Sequence, residues 1–291
     1  MKNTFLKKVY LIKNYLNFFK KTKERYQLNF EEDKDFLLSE IKNKKIIAID
    51  TEFDWRNTYF PILSLIQIAT RKKIFIIDCL EADNLQELKH IFEKIDLIIF
   101  HSVRSDSTVL SSVADIKIEN VYDIQVAEKI ITKGNQEKYG SIVEKYFPIN
   151  LKKSETNSNW LQRPLSQKQL NYAAEDVEFL IEIYEKQKKK IDNIIFEEIL
   201  KESQKEAFLG NRELFVSRLA KLGKASKLEK KIFLWREGTA KDRNIPPSYI
   251  IKDKHLKKIL KICEYDKNKK NLAELLGSED LAISLLKTLE K

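Results

Sequence analysis

The stretch Ile46-Ile47-Ala48-Ile49-Asp50-Thr51-Glu52-Phe53 runs four apolar residues into two carboxylates placed one residue apart. A short apolar run, partly β-branched, predicts a strand buried on both faces. Alternate side chains of a strand share a face, so Asp50 and Glu52 point one way and Thr51 the other. Two like charges at the end of a buried strand repel each other and resist desolvation. A hard divalent cation between them removes that conflict. The plain alternative is a pair of solvated acids where the strand leaves the core, and D-x-E alone does not separate the two.

Outward from this strand the pattern repeats. Residues 31–41 read as a helix with Phe36, Leu37 and Ile41 inward. The run 62–69 reads as a second strand, Arg71-Lys72-Lys73 as a turn and 74–78 as a third strand. Such short connections predict a three-stranded antiparallel meander. An amphipathic helix over 85–95 then leads to Leu97-Ile98-Ile99-Phe100, a short apolar strand. A crossover helix places that strand parallel to the first.

Directly after it comes His101-Ser102-Val103-Arg104-Ser105-Asp106, at the strand end where sites of open α/β sheets assemble. Taken singly, Asp106 is as readily a helix N-cap. Val121-Tyr122-Asp123-Ile124 reads as a fifth strand. Ser166 suits the N-cap of a helix from about 167 to 190, on which Tyr172 and Asp176 lie one turn apart. A partly buried tyrosine beside a surface acid is the ordinary reading of that pair. Residues 186–205 look like a charged linker. Residues 205–291 carry apolar residues at helical spacing, no strand signal, and a break at Pro246-Pro247.

The chain has 291 residues, 43% hydrophobic and 34% charged, enough for two domains and unlike a disordered protein. No apolar run is long enough to span a membrane. Cys79 and Cys263 lie far apart, which argues against a disulfide framework or a zinc site and fits a reducing cytoplasm. The net charge of +10 is unevenly spread. Residues 1–30 carry eight Lys/Arg against one acid, residues 31–200 carry 24 against 30, and residues 201–291 carry 22 against 13. An acidic middle between basic ends suits a metal-binding site flanked by surfaces for a polyanion. A plain bias of the sequence towards lysine would give much the same balance. Within 1–25, Phe5, Val9, Ile12, Leu16 and Phe19 recur at helical spacing among lysines. Lys13 and Asn14 cut the apolar run short of a signal peptide; a basic amphipathic helix there could lie on a membrane or on RNA, and the plainer expectation is an appended helix packed on the main domain or a frayed end.

The ordered set of D-x-E at 50–52, Asp106 and Y-x-x-x-D at 172–176 resembles the DEDD superfamily of 3′–5′ exonucleases in its tyrosine branch. In the histidine branch the base lies five residues before the last Asp, and Asn171 stands there. The phrases Leu65-Ile66-Gln67, Tyr122-Asp123-Ile124-Gln125, Trp160-x-x-Arg163-Pro164-Leu165 and Tyr172-Ala173-Ala174-Glu175-Asp176 are similar to the ribonuclease D family. Leu234-Trp235-Arg236-Glu237, the Pro246-Pro247 pair, and Asp253 followed by Leu256 resemble one helicase-and-RNase-D C-terminal (HRDC) domain. Ser102 and Ser107-Thr108 depart from the smaller or aliphatic residues usual around the third acid. Family members often carry a second HRDC domain, and segment 1–25 has no counterpart in the pattern.

The resemblance implies an α/β, ribonuclease H-like mixed sheet, the antiparallel meander plus parallel strands, flanked by helices and followed by a small all-α domain. The expected division is a basic extension over 1–25, an exonuclease domain over 26–200 and an HRDC-like domain over 205–291. The implied activity is 3′–5′ exoribonuclease hydrolysis releasing nucleoside 5′-monophosphates, with tRNA precursors as the family's usual substrate. Two divalent ions, Mg²⁺ or Mn²⁺, are implied as cofactors. By the same resemblance Asp50 bridges both ions, Glu52 and Asp176 complete the water-activating site, Asp106 holds the ion near the leaving group, and Tyr172 orients the attacking water. Phe53, Gln67, His101, Trp160 and Arg163 are the expected substrate contacts, each with a structural alternative as a core or loop residue. Two other readings stay open: a 3′–5′ DNA exonuclease, and a catalytically weak nucleic-acid-binding scaffold.

Overall fold

In a computed structural model of the chain, residues 23–151, 155–211, 214, 216, 219, 225–266 and 268–290 are described. The amphipathic pattern expected over 1–25 falls outside them as far as residue 22. The chain forms two compact units, one of residues 1–54 and 62–211, the other of residues 55–61 and 212–291.

The first unit is built on a six-stranded sheet of order β1-β4-β3-β2-β5-β6. The strands are β1 (Glu24–Asn29), β2 (Ile46–Asp54), β3 (Ile62–Ala69), β4 (Lys73–Asp78), β5 (Leu97–Phe100) and β6 (Val121–Asp123). β2, β3 and β4 form the expected antiparallel meander, and β5 and β6 add in parallel beyond β2. The edge strand β1, parallel to β4, is absent from the sequence reading. Lys23, just before it, and Arg25, within it, are buried. Lys23 donates to the main chain of Glu178 at 2.6 Å and meets Glu182 at 3.2 Å, while Arg25 pairs with Glu178 at 2.8 Å. Residues 23–25, read by sequence as the end of an extension, therefore begin the sheet.

Period-two patterning divides the apolar residues between two layers. Ala48, Leu65, Ala69, Ile76 and Ile99 face helix α6 (Gln167–Glu178), through its Leu170, Ala173, Ala174 and Val177. Ile47, Ile49, Ile66, Ile68, Ile77 and Ile98 face the other way, onto Leu37 and Ile41 of α1 (Phe30–Ile41), Leu88 and Phe92 of α2 (Gln86–Phe92), and Val109 and Leu110 of α3 (Arg104–Ala114). α4 (Ile124–Thr132) and α5 (Tyr139–Tyr146) follow β6.

The helix expected over 167–190 breaks at Phe179 and resumes as α7 (Leu180–Lys188). The linker expected over 186–205 is a correction: most of it is α8 (Asn193–Asn211), which packs on α3 and β6. The sequence there is highly charged on its outer face, while Ile199, Ser203, Ala207 and Gly210 are buried. Gly210 is needed for that approach, because a Cβ there would collide with the carbonyl oxygen of Arg104.

The second unit is helical, with helices Lys227–Asp242, Pro247–Ile250, Leu256–Lys261, Lys269–Leu276 and Glu279–Glu290 among the described residues. Trp235 is buried and its indole donates to Ser284 at 3.0 Å. Arg236 binds the carbonyl of Pro247 at 2.8 Å and Asp253 at 2.7 Å. Residues 55–61, between β2 and β3 in the chain, contribute to this unit's core. Tyr59 is 1% exposed there and donates to Oε2 of Glu237 at 3.1 Å, and Asn244 accepts from the amides of Tyr59 and Phe60 at 3.2 Å. Tyr59→Phe removes a donor from a buried carboxylate. It is expected to cost about 1–3 kcal/mol in thermal unfolding of the helical unit, and an unchanged melt would contradict this anchoring.

Candidate active site

Four elements of the sheet unit bring the chemistry together. β2 presents Asp50 and Glu52 on the face covered by α6. Ser166 caps α6 with a reciprocal capping box to Gln169. The helix then carries Tyr172 and Asp176 one turn apart, while Ala173 and Ala174 turn to the sheet and let it approach closely. One carboxylate oxygen from each of Asp50, Glu52 and Asp176 lies within 4.8 Å of the other two.

Asp106, in the first turn of α3, lies outside this trio, though its charge acts on Asp50 and Glu52. It is buried and accepts a hydrogen bond from Thr51 Oγ1 at 2.7 Å. The residue between the two β2 acids thus fixes the third acid. α3 is launched from a constrained loop in which Ser102 has φ 64°. Asp123, buried at the end of β6, holds that loop: its carboxylate accepts from the amides of Ser102 at 3.0 Å and Val103 at 2.9 Å, and it also caps α4 through Gln125 at 2.8 Å.

Burial and mutual repulsion act on the carboxyl groups as one unit. Desolvation raises Asp50 well above the usual carboxylate range, and the charges of Asp106, Asp176 and Glu52 add to it. Burial, then Asp176 and Asp106, push Glu52 up to about 9. Burial pushes Asp106 up to about 7, against the opposing pull of the Thr51 hydroxyl. The Tyr172 phenol is raised by burial and by Asp176, and its Oη lies 3.2 Å from Thr156 Oγ1. A cluster of hard oxygen donors that resist ionising side by side fits a divalent metal ion, which favours their charged forms.

A cavity of about 270 Å³ opens over the cluster. Asp50, Glu52, Tyr172 and Asp176 line it, with His101, Gln125, Lys138, Tyr139, Gly140, Leu151, Thr156 and Glu175. Of the five expected substrate contacts, only His101 is among these, with Nε2 3.0 Å from the carbonyl oxygen of Glu137. The other four do not line it. Gln67 is fully buried in the middle of β3 beneath α6. Trp160 is 3% exposed and packs in the core, its ring centroid 6.0 Å from that of Tyr172. Arg163 is committed to its own loop: it pairs with both carboxylate oxygens of Asp78 and binds Ser64 Oγ at 3.1 Å and the carbonyl of Trp160 at 2.9 Å. Phe53 follows a register shift in β2 and packs against the layer on the far face of the sheet.

Sequence reasoning missed Lys138, the one Lys or Arg among the described residues that line the cavity, along with Gln125 and Glu175. Glu175 stands beside Asp176 and Gln125 two residues past Asp123, so position relative to the acids was the available signal. Lys138 carries none, since it is one lysine among many.

A family model described as 3'-5' exonuclease matches residues 28–192, and one described as HRDC domain matches residues 226–283. Ribonuclease D of Bartonella henselae is 31% identical over 236 residues, covering 77% of this chain and 58% of that protein. The chain spans 58–65% of the length of four such curated relatives. The fold is similar to that of Escherichia coli RNase D, with a TM-score of 0.79 at 23% identity over 92% of this chain and 74% of the other. It is also similar to that of Trypanosoma brucei RNase D in complex with RNA U12, with a TM-score of 0.57 at 17% identity over 65% of this chain and 70% of the other. With the acids, the tyrosine and both matched regions in order, the chain belongs to the 3′–5′ exonuclease family, carries a region that matches the HRDC domain, and is similar to ribonuclease D.

Proposed function

We propose that this protein is a metal-dependent 3′–5′ exoribonuclease that releases nucleoside 5′-monophosphates, with two divalent ions, Mg²⁺ or Mn²⁺, held by Asp50, Glu52, Asp106 and Asp176. The observation that carries the reading is the approach of the Asp50, Glu52 and Asp176 carboxylates within 4.8 Å, on the floor of a cavity that Tyr172 also lines. Bound divalent ions supply Lewis acidity at the phosphoryl oxygen and a nucleophilic water near neutral pH.

The chain's own residues do the rest. Thr51 holds Asp106 in orientation. Tyr172 keeps its proton, because burial and Asp176 raise its phenol, so it positions the attacking water by hydrogen bonding and does not take up a proton. His101 borders the cavity where the terminal nucleotide enters. RNA is favoured as the polymer because it is the ligand in the T. brucei RNase D structure, and tRNA precursors are the first substrate to try. Both cysteines, Cys79 and Cys263, are buried, in keeping with a reducing cytoplasm. No helix among the described residues is long and apolar enough to cross a membrane.

The test uses one RNA labelled at either its 3′ or its 5′ end, with Mg²⁺, Mn²⁺ or EDTA. A 3′ label is expected to leave at once as a mononucleotide, and a 5′ label to shorten in a ladder, with no cleavage in EDTA. Faster degradation of DNA of the same sequence would replace RNA by DNA. Binding without cleavage under every metal would leave the scaffold reading.

A further inference from the structure

The amide of Gln67 is a buried polar group that the mechanism above does not use. Neither Oε1 nor Nε2 has a hydrogen-bond partner, and the residue is fully buried. Burying an amide in this way is costly, and such groups are rare in folded proteins. The register says what the amide faces. Gln67 is the direct cross-strand partner of Asp50 in the antiparallel pair β2–β3, so the two side chains stand on the same face of the sheet. Its other neighbours on that face are Leu65 and Ala69 along β3 and Ile76 across on β4. Leu170, Ala173, Ala174 and Val177 of α6 cover this layer. All of these are apolar, and Asp50 is the one ionisable side chain paired with Gln67 in the sheet.

Donor and acceptor types match. A carboxylate accepts only, and the amide Nε2 offers two donors. Gln67 Oε1 needs a donor, and the indole Nε1–H of Trp160, in the same layer, is also without a partner.

We propose that Gln67 is a positioning residue for Asp50. It donates from Nε2 to the Asp50 carboxylate across one ordered water, and so holds that carboxylate in the orientation in which it would bind a metal ion. This rests on the metal reading of the site. An outer hydrogen bond of this kind fixes a ligand's orientation, and losing one weakens metal binding typically by about 10–100-fold. A purely structural glutamine makes the opposite prediction. Replacing an unsatisfied amide by an apolar group of the same shape would be neutral or stabilising and would leave metal binding unchanged.

Gln67→Met keeps the length and volume of the side chain and removes both polar atoms. Mn²⁺ binding to the full chain, without RNA, is followed by isothermal titration alongside the melting temperature of the metal-free protein. The expected result is Mn²⁺ affinity about 10–100-fold weaker with a metal-free melting temperature equal to or above that of the wild type. Should Met at this position prevent folding, Gln67→Leu provides the second variant for the same pair of measurements. Unchanged Mn²⁺ affinity in a folded variant overturns the positioning role, whatever its melting temperature. Absence of Mn²⁺ binding by the wild type overturns the metal reading instead, so the two failures are distinct.

Discussion

Asp50→Asn is expected to lower 3′-end cleavage of RNA by about 10³-fold or more, a loss of several kcal/mol of transition-state stabilisation, with the metal-free melting temperature no lower than that of the wild type. The two halves of this expectation share one cause. Asp50 is desolvated and stands in the field of Asp106, Asp176 and Glu52. A neutral amide of the same shape relieves that repulsion, so the fold gains or is unaffected. The same exchange removes a charged ligand from the trio whose oxygens lie within 4.8 Å, so the site no longer favours a divalent ion. RNA binding in the presence of EDTA should stay near the wild-type value, because affinity for the polymer rests mainly on cations meeting phosphates. Activity of Asp50→Asn near that of the wild type, in matched Mg²⁺ and Mn²⁺, would show that the catalytic acids lie elsewhere.

Asp106→Asn is a graded companion. Its side-chain oxygen still accepts from Thr51, so α3 stays in place, and only the charge is lost. A large loss of activity there, with an unchanged melt, separates a role for the charge from a role for the hydrogen bond.

The acids were legible because each is marked by a local period. D-x-E reports a shared strand face, Tyr172 and Asp176 report a helical turn, and Asp106 follows a strand end. No knowledge of long-range packing is needed to place residues that way. The substrate candidates lacked such a marker. Gln67 alternates correctly to share the face of Asp50, but the sequence does not show that α6 closes over it. Arg163 is exposed by composition, yet Asp78, 85 positions earlier, claims its guanidinium. β1 escaped notice for a related reason. Glu24–Asn29 alternates weakly, and Lys23 before it and Arg25 within it look like surface lysine-rich sequence until Glu182 and Glu178 pair with them. Residues 55–61 look like an ordinary inter-strand loop, and only the fold reveals that Tyr59 fills a helical core.

Glu52→Gln is expected to reverse the way the metal-free protein responds to pH. Burial, then the charges of Asp176 and Asp106, push the Glu52 carboxyl up to about 9 in the folded chain, against 4.5 for the free side chain. Between those two values the unfolded chain has released the proton and the folded chain still holds it. The group's stabilising contribution is therefore complete below about 4.5, and it is lost as pH rises towards 9. At pH 4, where both states hold the proton, wild type and Glu52→Gln should melt within about 1 °C of each other. At pH 8.5 the variant should melt higher by about 3 °C or more, since a unit of this size shifts by about 2–4 °C per kcal/mol. Metal inverts the order. A divalent ion binds the ionised carboxylates, so it must expel the protons that Glu52 and Asp106 retain near neutral pH, and its affinity rises with pH. Titrations of the wild type with Mn²⁺ at pH 7.5, in two buffers of different ionisation enthalpy, should accordingly report about one or more protons released per site. Saturating Mn²⁺ should raise the wild-type melting temperature well above that of Glu52→Gln. Equal melting of the two proteins at pH 8.5 without metal, or proton-neutral Mn²⁺ binding, would mean that Glu52 is already ionised in the folded chain and that the carboxylates do not act as one electrostatic unit.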